Sequence, residues 1–122
     1  MNATQLDGRK IIAIAFRTLA DDYAVTGQIR PAEIPAIVAA GFKSIICARP
    51  DGEDNGQPRF SDVADEARRN GLEPVHIPVS GELSTQAFGK FEQAMRTIPK
   101  PVLGYCRSGN RAASLYTLLH RS

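Results

Sequence analysis

The chain has 122 residues, of which 43% are hydrophobic and 23% charged, with a formal net charge of +2. That length supports one hydrophobic core, and so small a charge, with no Lys/Arg block, argues against a nucleic-acid surface. Two cysteines without a secretory leader pattern read as reduced thiols in a cytoplasmic protein rather than a disulfide scaffold. The apolar run Ile11–Phe16 is too short to span a bilayer, and the two histidines stand in no zinc-binding spacing. Neither a membrane nor a metal or organic cofactor is expected.

In chain order, Met1–Lys10 is polar and unpatterned, and residues 1–15 read as an N-terminal extension to a single domain of residues 16–122. Ile11–Leu19 reads as a strand or a short packing extension, Asp21-Asp22 as a turn, and Tyr23–Thr26 as a strand, which together predict an edge hairpin. Pro31 suits the first position of a helix, where its missing N–H costs nothing. Ile34, Ile37 and Val38 follow at helical spacing, and Gly41 closes the helix. Ser44-Ile45-Ile46-Cys47 has the continuous apolar character of a buried parallel strand.

Arg49–Pro58 is dense in turn residues and is predicted to be a loop. Ser61 is expected to cap a second helix through Asn70, with Val63, Ala64 and Ala67 inward and Gly71 as its stop. Glu73–Val79 reads as a strand, Ser80–Leu83 as a loop, and Ser84 or Thr85 as the cap of a third helix. That helix carries Phe88, Phe91, Met95 and Ile98 on one face, and Pro99-Lys100-Pro101 ends it. A last helix is expected over Ala112–Leu119, and its closeness to Ser122 reads as a C-terminally shortened domain. The strand–helix alternation predicts an α/β fold with a small, mainly parallel central sheet and helices on both faces.

Between the last strand and the last helix lies Tyr105-Cys106-Arg107-Ser108-Gly109-Asn110-Arg111. In an open α/β sheet the crevice beyond a strand's carboxyl end is where ligands bind. A helix N-terminus there offers unpaired N–H groups and partial positive charge. A thiol in that position, flanked by Arg107 and Arg111, is expected to ionise below the ordinary cysteine value. Ser108, Gly109 and Asn110 are small or polar, which lets the backbone curl so that successive amides point inward. Cys106 is therefore read as a thiolate nucleophile, with Arg111 and the loop Arg107–Asn110 binding an anion. The plainer alternative makes Cys106 a buried small hydrophobe and leaves Arg107 as a solvated surface arginine.

Four segments carry a family resemblance: Val25–Pro31, Ala39–Lys43, Arg49–Glu53 and Tyr105–Arg111. In this order they resemble the bacterial phosphatase-like domain found alone or fused to beta-lactamase-hydrolase-like proteins, which are metallo-hydrolase-fold persulfide dioxygenases. The resemblance runs from about Arg17 to Leu119. It implies a dual-specificity-phosphatase-like fold, Cys106 as nucleophile, the loop through Arg111 as anion cradle, and a persulfide dioxygenase as a possible partner. Domains of this group have been assigned both as phosphatases and as sulfurtransferases.

Three departures from the protein-tyrosine-phosphatase pattern bear on that choice. That pattern places five residues between cysteine and arginine, whereas here there are four, Arg107–Asn110. The shorter loop resembles that of rhodanese-type sulfurtransferases and leaves less room for a tetrahedral phosphate. Tyr105 stands where those phosphatases have a histidine, and Pro78–Glu82 lacks their aspartic general acid. Glu82 is the available carboxylate, either reaching in or simply solvated. These departures favour a sulfurtransferase taking sulfane sulfur onto Cys106 from a small anionic donor. A phosphate monoester hydrolase is the alternative, and a non-catalytic anion-binding or redox-sensing module a third.

The remaining candidates are read in two ways each. Cys47 either resolves an oxidised or persulfidated Cys106 or is an apolar core residue. Arg49 and Asp51 either orient the active-site loop or belong to a plain turn. Glu53 and Asp54 are expected to face solvent, and His76 to sit on a strand with no catalytic role.

Overall fold

The structure, a computed structural model, describes residues 14–121. The tail Met1–Lys10 and the first residues of the Ile11–Leu19 segment lie outside the described residues. Its five-stranded sheet has the order β1-β2-β5-β3-β4. β1 (Arg17–Ala20) pairs antiparallel with β2 (Tyr23–Thr26), and β2, β5 (Val102–Tyr105), β3 (Ser44–Cys47) and β4 (Glu73–His76) run parallel. The hairpin predicted around Asp21-Asp22 thus supplies the antiparallel edge.

The helices are α1 (Ile34–Ala39), α2 (Phe60–Arg69), α3 (Thr85–Thr97) and α4 (Asn110–Arg121), with a 3-10 turn over Pro31–Glu33 leading into α1. Strand alternation sorts them into two layers. Tyr23, Val25, Ile46, Val102 and Cys106 pack with Phe91 and Met95 of α3 and Leu115 and Tyr116 of α4. Ala24, Ile45, Cys47, Leu103 and Tyr105 pack with Ile34 and Ile37 of α1 and Val63 and Ala67 of α2. β3 and β5 are buried at every position, because both faces are covered.

Several local expectations hold and others are corrected. Gly41 and Gly71 take φ of +100° and +81°, the left-handed conformation that closes a helix, and Ser84 Oγ caps α3 by accepting the Ala87 N–H at 3.0 Å. Val38, at helical spacing with Ile34 and Ile37, is nonetheless exposed, since the six residues of α1 bury only Ile34 and Ile37. Phe88 is half-buried, whereas Phe91, Met95 and Ile98 are buried. Ser61 does not cap α2: the helix starts one residue earlier, and Asp51 Oδ1 accepts the Phe60 N–H at 2.8 Å from across the loop. α4 begins at Asn110 rather than Ala112, which places Arg111 in its first turn.

One contact ties the core to the helix that follows the cysteine. Tyr23 stacks on Tyr116 with ring centroids 4.7 Å apart and meets Phe91 edge-on at 5.5 Å. Its hydroxyl donates to the Ala112 carbonyl at 3.0 Å, and Gly104 of β5 provides the space it occupies. A Cβ at Gly104 would overlap the Tyr23 hydroxyl and lie 3.1 Å from Ala112 Cβ. Gly104→Ala should therefore destabilise the fold by about 1–3 kcal/mol through overpacking, read as a lower urea midpoint with an unchanged m-value. An unchanged midpoint would mean that Tyr23 does not fill that space.

Candidate active site

The register of the sheet aligns the carboxyl ends of three strands. Thr26 and Cys47 both lie opposite Tyr105. The chain leaves each strand under backbone control, with Cys106 N donating to Thr26 O at 3.4 Å and Ala48 N to Tyr105 O at 2.8 Å. The loop after β5 then presses on the end of β2. A Cβ at Gly27 would stand 3.0 Å from the Arg107 carbonyl, and one at Gly109 would stand 3.3 Å from the Thr26 carbonyl. Gly109 also has φ +96°, which L side chains rarely adopt. The two glycines let the loop lie against the strand.

Within that turn the Cys106 thiol is buried at the floor, and Gly109 N–H donates to Sγ at 3.0 Å. Burial pushes the thiol's pKa up, but the backbone amides of Ala112, Ser108, Arg111 and Gly109 act together the other way and win, leaving it below the ordinary value. Cys106 Sγ thus accepts a backbone N–H just before α4, and the surrounding backbone amides favour its ionised form.

Arg111 reaches over this loop and is held in place. Its guanidinium meets Glu53 in a two-pronged pair, Nη1 to Oε2 and Nη2 to Oε1, both at 2.8 Å, and Nη1 also donates to the Val79 carbonyl at 2.8 Å. Such a fork fixes orientation as well as charge. The hydrogen bonds from Arg111, with those from Arg49, hold the Glu53 carboxyl down to about 2 despite some desolvation.

Arg49, 2% exposed, is the hub beneath. Its Nε donates to Glu53 Oε1 at 2.8 Å, its Nη1 to Gln28 Oε1 at 2.8 Å, and its Nη2 to Asp54. Asp54 also pairs with Arg107 Nε at 3.1 Å, while Arg107 remains two-thirds exposed. His76 Nε2 lies 2.7 Å from the Arg49 carbonyl and its ring stacks on Phe60, so this histidine supports the loop from beneath.

The structure therefore gathers Cys106, Arg107, Ser108, Gly109, Asn110 and Arg111 into one turn, with Arg49 behind it. Asp51 is engaged in capping α2. Glu82 is exposed and makes no hydrogen bond or ion pair among the described residues.

Cys47 lies on the opposite layer from Cys106, packed with Tyr105, where its Sγ donates to the Arg49 carbonyl at 3.3 Å and burial pushes its thiol up. The two thiols thus face opposite layers of the sheet. Tyr105 likewise points to that other layer, and its phenol is held above its ordinary value by burial and by the nearby Cys47.

Glu53 and Asp54 do not simply face solvent, as the sequence suggests. They are the carboxylates that organise Arg49, Arg107 and Arg111. Gln28 is a further member that sequence reasoning misses. The Arg49–Glu53 spacing of four was the only local hint, and in a turn-rich loop it carries no helical meaning.

Residues 15–121 match the family described as the phosphatase-like domain of Beta-lactamase hydrolase-like proteins. The chain belongs to that family. The Beta-lactamase hydrolase-like protein of Agrobacterium fabrum is 43% identical over 95 residues, covering 77% of this chain and 22% of that protein. Its counterpart in Xylella fastidiosa is 40% identical over 96 residues, covering 78% of this chain and 22% of that protein. The chain thus spans about a fifth of the length of the curated relatives it matches.

A candidate phosphatase structure from Neisseria meningitidis is 29% identical, covering 85% of this chain and 75% of that one at a TM-score of 0.77. The core catalytic domain of a PP-IP phosphatase from S. cerevisiae, 16% identical at a TM-score of 0.69, covers 91% and 67% of the two chains and shares the fold. The fold of this phosphatase-like domain is that of cysteine phosphatases. Among the described residues no helix is long and apolar enough to cross a membrane, and no group of three or more His, Cys, Asp or Glu could hold a metal ion.

Two expectations follow from this geometry. With the chain folded at neutral pH, iodoacetamide should label Cys106 well before Cys47, with a pH midpoint below the free-thiol value of about 8.5. Peptide mass mapping over time reads the order, and equal labelling would contradict the preferred ionisation of Cys106. The second concerns Glu53, whose carboxyl titrates lower folded than unfolded. Its contribution to stability is present above the ordinary value of 4.5 and lost as pH falls towards about 2. The stability gap between wild type and Glu53→Gln should accordingly be open at pH near 7 and close across that acid window, measured by urea denaturation.

Proposed function

We propose that this chain is a cysteine-dependent phosphatase-type enzyme acting on a small anionic phosphate ester. The observation that carries the reading is the Gly109 N–H on Cys106 Sγ at 3.0 Å in the turn that opens α4, with the Glu53-held Arg111 guanidinium in the first turn of that helix. The thiolate attacks phosphorus, the bond from phosphorus to the leaving oxygen breaks, and a cysteinyl-phosphate forms. Loop amides and Arg111 stabilise the charge developing on the equatorial oxygens. Water then attacks the phosphorus, releasing phosphate and returning the thiolate. The description of the family as phosphatase-like and the Neisseria relative support this reading.

The exposed, unpaired Glu82 narrows the substrates. A general acid contributes about 10²–10⁴-fold when the leaving group must be protonated. Without one, the favoured substrates are those whose leaving group departs as a stable anion, such as an aryl phosphate or a phosphoanhydride.

The same two features favour a second reading, sulfur transfer. The loop has four residues between Cys106 and Arg111, a tighter ring than a phosphate asks for, and sulfite or a thiolate departs from sulfane sulfur without an acid. In that reaction Cys106 attacks the outer sulfur, the S–S bond of the donor breaks, and a Cys106 persulfide passes its sulfur to a thiol acceptor. A persulfide dioxygenase, fused or neighbouring, is the partner this reading implies.

One paired experiment separates the two. Wild type and Cys106→Ser are mixed with an aryl phosphate and assayed for phosphate, and separately with thiosulfate or glutathione persulfide and weighed as intact protein. Phosphate release that needs Cys106 and is blocked by vanadate is the expected outcome. A gain of one sulfur atom on wild type alone, with no phosphate release, would replace it with sulfur transfer.

A further inference from the structure

Beside the anion loop lies a cleft of about 200 Å³ whose lining includes Gln28, Arg30, Arg49, Asp54, Gln57 and Arg107. It adjoins the catalytic loop directly, since Arg107 follows Cys106 in the chain. We infer that this cleft binds a second acidic group, a carboxylate or a phosphate, carried by the same substrate whose reacting group sits on Cys106. The inference rests on the anion-loop reading of Cys106 and deepens it, because it turns "a small anion" into a bifunctional one.

The charge pattern supports this. Arg49 forms the buried floor, and its charge is already met by Glu53 and Asp54. Arg111 shares Glu53, and Arg107 shares Asp54. Arg30 is exposed on the cleft wall and has no carboxylate within ion-pair distance among the described residues. Four arginines, Arg30, Arg49, Arg107 and Arg111, thus stand against two carboxylates, Glu53 and Asp54. Even with Cys106 counted as an anion, these arginines outnumber the carboxylates that pair with them, which leaves positive charge on the cleft.

Polar groups on the wall complete the binding chemistry. Gln57 Nε2 is bound to the Pro50 carbonyl at 2.9 Å, and its Oε1 accepts the Glu53 and Asp54 amides, so it stiffens the loop. Arg107 and Arg30 are the groups left to meet a ligand, Arg107 by exchanging its half-exposed partner Asp54 for a substrate acid. An arginine offers a planar fork suited to either a carboxylate or a phosphate.

The test uses non-reacting ligands, so that it reads binding without turnover. Ethylphosphonate, carboxyethylphosphonate and ethylene bisphosphonate, each with longer-spacer homologues, are compared for protection of Cys106 against iodoacetamide in wild type and Arg30→Ala. A second acid on the right spacer should tighten protection about fivefold, the size of one partly exposed ion pair. Arg30→Ala should erase that gain while leaving protection by ethylphosphonate unchanged, and added salt should shrink the gain. Whether the carboxylate or the bisphosphonate series gains more identifies the second group. Equal protection with and without the second acid, at every spacer, would overturn the inference while the anion loop stands. If no phosphonate protects Cys106 at all, the anion-loop reading fails and the inference falls with it.

Discussion

The closeness of the Cys106–Arg111 turn to the end of β2 is the constraint on which this site depends. A Cβ added at Gly27 or Gly109 would stand only 3.0 Å or 3.3 Å from a carbonyl oxygen of the other segment. Because the turn cannot drift outward without losing the Cys106–Thr26 backbone bond, its amides stay aimed at one sulfur atom. The rest of the fold maintains that fit. Tyr23 passes through the gap left by Gly104 and holds the first turn of α4 by its Ala112 carbonyl, so the stacked ring cluster on one layer and the Cys106 turn at the rim form one connected structure.

Electrostatically the site is a chain of shared partners. Glu53 serves Arg111 and Arg49, and Asp54 serves Arg49 and Arg107. Exposed ion pairs contribute little one at a time, but Arg49 is buried and hydrogen-bonded at all three of its nitrogens. A buried guanidinium without those partners would carry a large desolvation cost, which makes the loop Arg49–Pro58 an ordered wall rather than a slack connection. Asp51 reinforces it by capping α2 from within the same loop.

How far this was legible in the sequence depended on whether the signal was local. The apolar run of β3, the closing glycines Gly41 and Gly71, the Ser84 cap and the order strand–Cys106–loop–helix are all short-range patterns with a single physical meaning, and the structure contains each of them. The partners of Arg111 were not legible, because Glu53 is 58 positions away and looks like any charge in a turn. The Asp51 cap was hidden for the same reason, so the nearer Ser61 took its place in the reading. Cys47 shows a different limit. It was rightly placed at the end of a strand beside that of Cys106, but the layer its side chain faces follows from the parallel register, in which it lies opposite Tyr105 and not opposite Cys106.

That separation has a consequence for how the protein meets an oxidant. The chain has two cysteines, and they face opposite layers of the sheet. Among the described residues, a sulfenic acid formed on Cys106 therefore has no thiol on its own face of the sheet to condense with. A small thiol from solution, or a neighbouring backbone nitrogen, can trap it reversibly before it proceeds to the irreversible sulfinic acid. Recovery of Cys106 from oxidation therefore draws on thiols from outside this domain rather than on Cys47.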